Sequence, residues 1–319
     1  MSAKEFIKIA TLAPDEEDKI EVMDIKGRLI SNVLVNAQRE IPGVGCTYDV
    51  DVTEFYKEFE KLKSDCGYKL TFNSLMMKVL VEGLKSAPRL NAHFQYNHTS
   101  TSGRLIIKKH IYVTMPVCLE GGETFQVKVS HLEDKTLEET ANEIENVKEK
   151  LKNTNVKRVL FRVAGQRMVG YAIKGKAHSS FAQFFTAYFG KNKIAKFSKL
   201  FKKKYYSDPK KKKAPSLKVE DFTEGTVCFT NWGTLYENLN VNITYIPPLY
   251  PQVFMFGTGK IKKVQQVYKK ADGTLDLNDR LVLPLTMVFD HKIGGAADLM
   301  PFIRKMDEIF NSPEVIHEW

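Results

Sequence analysis

The segment Phe289-Asp290-His291-Lys292-Ile293-Gly294-Gly295-Ala296-Ala297-Asp298 sets a single imidazole between an apolar run and an amphipathic one. An imidazole titrates near neutrality and can serve as a catalytic base, although many histidines are ordinary structural groups. A second segment, Gly225-Thr226-Val227-Cys228-Phe229-Thr230-Asn231-Trp232-Gly233, buries an alcohol in an apolar stretch. On its own Thr230 reads as a strand former filling one face.

The elements around His291 place it at a junction. Leu281-Val282-Leu283 and Leu285-Thr286-Met287-Val288-Phe289 read as a buried strand interrupted by Pro284, ending at Asp290. Downstream, Leu299, Phe302, Ile303, Met306, Ile309 and Phe310 recur at helical spacing. A side chain at such a strand-to-helix passage can face a cavity. Residues from Asp134 to Leu151 form a charged helix with a capped beginning at Asp134-Lys135-Thr136-Leu137-Glu138-Glu139.

With Ile246-Pro247-Pro248 and Val253-Phe254-Met255-Phe256-Gly257-Thr258-Gly259, these two segments resemble the catalytic domain of the dihydrolipoamide acyltransferases of 2-oxoacid dehydrogenase complexes, whose fold is that of chloramphenicol acetyltransferase. The resemblance covers most of the chain. It includes Ile41-Pro42, Asp49 to Thr53, Leu70 to Leu75, Pro88 to Ala92, and a strand-turn-strand from Ile111 to Val129 with Glu120-Gly121-Gly122 at the turn. It implies that His291 is the general base, removing a proton from the attacking thiol or hydroxyl. It also implies that Thr230 donates a hydrogen bond to the tetrahedral oxyanion. Asn231, Trp232, Gly233 and Asp290 are then pocket or supporting residues, Trp232 offering a broad apolar wall or plain core packing.

Two departures stand out. The aspartate that the family carries four residues after its histidine is Gly295 here, and the arginine paired with it falls on Gly27, beside Arg28. Losing both members of a buried ion pair can be nearly neutral, whereas losing one leaves a charge unpaired. Lys292 stands where the family has arginine.

With 319 residues and 43% hydrophobic content, the chain can build a real core. Cys46, Cys66, Cys118 and Cys228 show neither metal-ligand spacing nor a paired framework, which suits a reducing cytoplasm. Residues 1–20 read as a solvated lead-in without an export signal, and 21–319 as the catalytic domain. His93, His98, His110, His131, His178 and His317 have no partner at ligand or triad spacing, so no metal site is expected, and no nucleotide-binding fingerprint is present.

Residues 156–213 form a basic insertion, with seventeen Lys and Arg against the single acid Asp208. That is a local charge of +16, so the remainder of a chain at +10 sums to −6. Phe181, Phe184, Phe185, Tyr188 and Phe189 fall on one helical stripe, and a second holds Phe197 and Phe201 among lysines. Aromatic faces flanked by lysine suit an anionic membrane interface. The same stripes could pack on the protein's own body or on a neighbouring subunit, and the lysines could meet coenzyme A phosphates. No nucleic-acid-binding motif accompanies the charge.

The resemblance therefore implies an α/β two-layer sandwich, a mixed sheet covered by helices, assembled as a homotrimer with His291 of one copy meeting Thr230 of the next. The expected chemistry is acyl transfer from acyl-coenzyme A to a small or lipid-like hydroxyl, amine or thiol. No lipoyl segment is read in the chain, so covalently bound lipoate is not expected on it. The alternatives are a dihydrolipoyl acyltransferase serving a lipoyl domain on another protein, and a non-catalytic trimeric scaffold with a membrane-binding insertion. A cytoplasmic location is expected, at the inner face of the membrane if the insertion docks there.

Overall fold

The computed structural model describes residues 14–15, 17–98, 100–118, 123–173, 177–189, 193–194, 214–233, 242, 244–270 and 272–319. In chain order the elements are α1 (Ile25–Glu40), β1 (Gly43–Asp51), α2 (Thr53–Asp65), α3 (Phe72–Ser86), β2 (Ala92–Asn97), β3 (Ser102–Ile107), β4 (Val113–Cys118) and β5 (Thr124–Val129). They continue with α4 (Leu137–Lys152), α5 (Val156–Ile173), α6 (Ala177–Tyr188), α7 (Glu220–Thr223), β6 (Val227–Asn231), β7 (Phe254–Thr258), β8 (Lys262–Lys269), β9 (Leu275–Asp290) and α8 (Ala296–Asn311). The chain divides into two compact units, residues 1–31 with 160–207, and residues 32–159 with 208–319. The expected turn at Glu120-Gly121-Gly122 lies outside the described residues.

The second unit is a mixed α/β sandwich. Its seven-stranded sheet runs β1-β9-β7-β6-β4-β5, with β8 also pairing β9, while β2 and β3 form a separate hairpin. The β4–β6 and β6–β7 pairs are parallel and the remaining pairs antiparallel. β6 and β7 are buried on both faces, which explains their unbroken apolar runs.

Contrary to the sequence reading, Pro284 does not interrupt its strand. β9 pairs β7 over residues 285–289 and β8 over residues 275–282, so Pro284 sits at the joint between the two partners. Its carbonyl accepts the Gly259 amide at 2.8 Å on that side. The amide hydrogen that proline lacks would point the same way, where no ladder bond is required.

The helical layer starts from strong caps. Thr136 and Glu139 close a capping box at α4, as the sequence anticipates, and Thr71 with Ser74 closes another at α3. Phe302 of α8 is fully buried and presents its ring to Phe254 at 5.0 Å and Phe256 at 5.7 Å, both near-perpendicular. Phe55 of α2 meets Phe310 at 4.9 Å. Truncating such a ring forfeits transfer free energy and leaves a cavity. Phe302→Ala is expected to lower unfolding stability by about 3–5 kcal/mol, read from the midpoint of urea denaturation at unchanged slope.

Candidate functional site

β9 carries eight consecutive buried residues, Leu283 to Asp290, before the chain leaves the sheet in one turn of 3₁₀ helix, His291–Ile293. Asp290 is 2% exposed, and its amide donates to the Val253 carbonyl at 2.8 Å. Its carboxylate accepts the Lys292 amide at 3.0 Å and lies 3.5 Å from the Lys292 ammonium. Burial raises the Asp290 pKa above its ordinary value, with the Lys292 amide and charge pulling the other way. The same ammonium donates to the carbonyl of Glu40, the last residue of α1. It also lies 5.2 Å from the Phe94 ring centroid and 5.6 Å from that of Tyr96, on β2. One cation thus ties together a strand end, a helix C-terminus and a hairpin.

His291 is exposed, and its backbone amide donates to the Pro42 carbonyl at 3.0 Å. Its Nδ1 is 2.9 Å from the Gly294 carbonyl oxygen. A carbonyl only accepts, so Nδ1 carries the proton in the neutral ring and Nε2 presents a lone pair. The Gly294 carbonyl is positioned by its neighbours. The Arg89 guanidinium donates to the Ile293 carbonyl and pairs with Asp298 at 2.9 Å. The second Asp298 oxygen accepts the Gly295 amide at 3.1 Å, closing the first turn of α8. A Cβ at residue 294 would strike the Asp298 carboxylate, so the passage needs glycine there.

At Gly295 a Cβ would meet nothing within 4 Å. The Gly27 amide donates to Asp24 at 2.8 Å, and the Arg28 guanidinium donates to the Thr186 carbonyl at 3.2 Å.

Thr230 is 5% exposed on β6. In register it faces Gly257 on β7, which faces Thr286 on β9. His291 lies five residues beyond Thr286, so within one chain the two groups are separated by about 17 Å along the strands and about 10 Å across them. A single copy therefore does not bring them together.

Asn231 alternates to the other face, where its amide donates to Asn73 at 2.5 Å and its carbonyl oxygen accepts the Gly233 amide at 2.8 Å. The Trp232 amide donates to the Thr258 carbonyl at 2.9 Å, with the indole half-buried. A Cβ at Gly233 would lie 2.6 Å from the Gly259 carbonyl oxygen, so this turn also demands glycine. These three residues terminate the strand. A cavity of about 100 Å³ lined by Asn73, Met115, Phe229 and Asn231 opens on the helical face, away from the Thr230 side chain.

In the first unit, α6 exposes Phe181 at 70%, with Phe185 and Phe189 also exposed, their rings stacked in series at 6.2 and 5.1 Å. Phe184 and Tyr188 are half-buried and 5.0 Å apart. Phe197 and Phe201 lie outside the described residues. Among the described residues no helix is long and apolar enough to cross a membrane.

Residues 14–161 and 201–318 match the family model described as 2-oxoacid dehydrogenases acyltransferase (catalytic domain). The chain belongs to this acyltransferase family. A dihydrolipoyllysine-residue acetyltransferase component of the pyruvate dehydrogenase complex from Staphylococcus epidermidis is 28% identical over 134 residues, 41% of the chain. The matched part spans 29% of that relative's length. Among solved structures, the cubic core of a pyruvate dehydrogenase multienzyme complex superposes at a TM-score of 0.60 with 17% identity, covering 96% of both chains. A truncated catalytic core from Thermoplasma acidophilum gives 0.57 at 17% identity, covering 93% of this chain and 99% of that one. At such identities the likeness is one of fold. The acyltransferase family model leaves out residues 162–200, which carry the α6 stripe.

The raised Asp290 pKa has a measurable sign. The folded chain holds its proton at a pH where the unfolded chain has released it, so stability is greatest below the ordinary aspartate value and falls as pH rises through the Asp290 titration. Asp290→Asn is expected to remove that component of the slope, in urea denaturation followed from about pH 4 upward. An unchanged slope would contradict the assignment.

Proposed function

We propose that the chain transfers acyl groups between coenzyme A and a thiol by direct attack, with His291 as general base and Thr230 of a neighbouring copy stabilising the oxyanion. The observation that carries this reading is the His291 ring itself, its Nδ1–H held by Gly294 and its Nε2 free at the exposed end of a buried strand. Nε2 takes the acceptor's proton as its sulfur bonds to the thioester carbon. The carbonyl oxygen becomes an oxyanion that accepts a hydrogen bond from the Thr230 hydroxyl. Collapse expels the coenzyme A thiolate, which recovers the proton from the imidazolium.

The separation of His291 from Thr230 within one chain supports a site shared between copies. The fold's likeness to a cubic core supports it further, because a cube has threefold axes around which three copies can close. The relatives' printed names favour a dihydrolipoyl acceptor over the free acceptor expected from the sequence. Reduced lipoamide outcompeting other thiols, alcohols and amines would settle that choice. The four free thiols suit a reducing cytoplasm.

A shared site predicts complementation. His291→Ala is expected to lower the rate about 10²–10⁴-fold, and Thr230→Val about 10²-fold or more. Mixing the two variants under conditions that exchange subunits should restore sites that combine an intact His291 with an intact Thr230. Activity of the mixture no greater than the sum of the parts would exclude sharing between copies.

The exposed phenyl stripe of α6, within a segment of strongly positive charge, supports reversible attachment to an anionic membrane. Phe181→Ser with Phe185→Ser should then reduce sedimentation with phosphatidylserine vesicles several-fold. Equal sedimentation of both chains would eliminate membrane docking through this stripe.

A further inference from the structure

His110, His131 and Glu133 lie apart from the residues discussed so far. His110 closes the approach to β4, and His131 and Glu133 follow β5; β4 and β5 pair antiparallel with Val113 opposite Val129, so both ends arrive together. One nitrogen from each imidazole and one Glu133 oxygen all lie within 4.8 Å of one another. We propose that these three side chains bind a divalent transition-metal ion of the zinc class.

The donor set is the first argument. Two imidazoles and a carboxylate suit zinc, and three protein ligands leave a fourth position for water or another group. His110 Nδ1 is 2.5 Å from Glu133 Oε1, and His131 Nδ1 is 3.7 Å from the same oxygen. Ligands around tetrahedral zinc sit roughly 3.3–3.6 Å apart, so small side-chain rotations bring the three donors to a common centre.

The second argument is the outer shell, which already aims each donor. The Tyr112 hydroxyl is 3.3 Å from His131 Nε2, which turns Nδ1 toward Glu133. The Ile111 amide donates to Glu133 Oε2 at 2.8 Å, leaving Oε1 for the centre. Lys128, the cation beside Tyr112, is engaged by Glu224 at 3.3 Å.

The backbone agrees. His131 has φ +54°, a left-handed conformation uncommon for a residue with a Cβ, and it turns the ring back over His110 at 4.7 Å. Because β5 is the last strand of the sheet, a cation here bridges the open end of the edge hairpin.

Calorimetric titration of the full chain with zinc chloride, after removal of metal by chelator, tests the assignment. One ion per chain is expected to bind with a dissociation constant in the micromolar range or tighter. His131→Asn keeps a residue that tolerates the left-handed conformation and removes the imidazole; Glu133→Gln keeps an acceptor for the Ile111 amide and removes the charge. Each should weaken binding about 100-fold at unchanged circular dichroism. His98→Ala and Cys118→Ser should bind as the parent does. Absence of saturable one-to-one binding, persistence of binding in both ligand variants, or its loss in Cys118→Ser would overturn the proposal.

Discussion

A carboxylate taken almost wholly out of water must be matched by charge and hydrogen bonds, and at Asp290 the match comes from two residues away. Lys292 supplies both an amide and an ammonium, and the geometry this imposes bends the chain out of the sheet at residue 291. The same ammonium satisfies a terminal carbonyl of α1 and rests on two aromatic rings. Lysine suits this place because a point charge on a flexible stem can serve a carboxylate, a carbonyl and two π faces, with no planar fork to align. His291 inherits its position from that knot without taking part in it.

The orientation of the ring is set by a second pair. Arg89 and Asp298 hold the backbone on either side of Gly294, and the Gly294 carbonyl fixes the tautomer of His291. The family's aspartate is absent at Gly295, yet the backbone amide of that residue still reaches a carboxylate three positions later. An ion pair built across the passage can therefore hold the loop without a side chain at residue 295. This pair is partly exposed, so its worth lies in geometry more than in stability.

The legible parts of the molecule were those with local periodicity. The buried strand, the helix after it and the α4 cap follow from apolar spacing and capping residues, and His291 stands out because it interrupts a pattern. Pro284 misled because a sequence does not show that two different partners meet opposite it. The Arg89–Asp298 pair spans more than two hundred residues, and no periodicity links them. His110 and His131 looked ordinary because their proximity to each other and to Glu133 depends on strand register and on one left-handed residue. Contacts set by register are invisible until the strands are paired.

Register also decides what one copy can do. Thr230 sits on β6 and His291 directly follows β9, and both strands are pinned on both sides, β6 by β4 and β7, and β9 by β1, β7 and β8. Sliding either strand by one residue would exchange the side chains packed on its two buried faces, so the distance between the two groups is not adjustable within the sheet. The passage at residues 293–295 is tied down by the Arg89 and Asp298 bonds. If an imidazole base and a threonine hydroxyl act on one thioester, the second group must come from another molecule. Catalysis and assembly are then a single requirement, and any change that loosens the packing between copies should abolish turnover before it unfolds the chain.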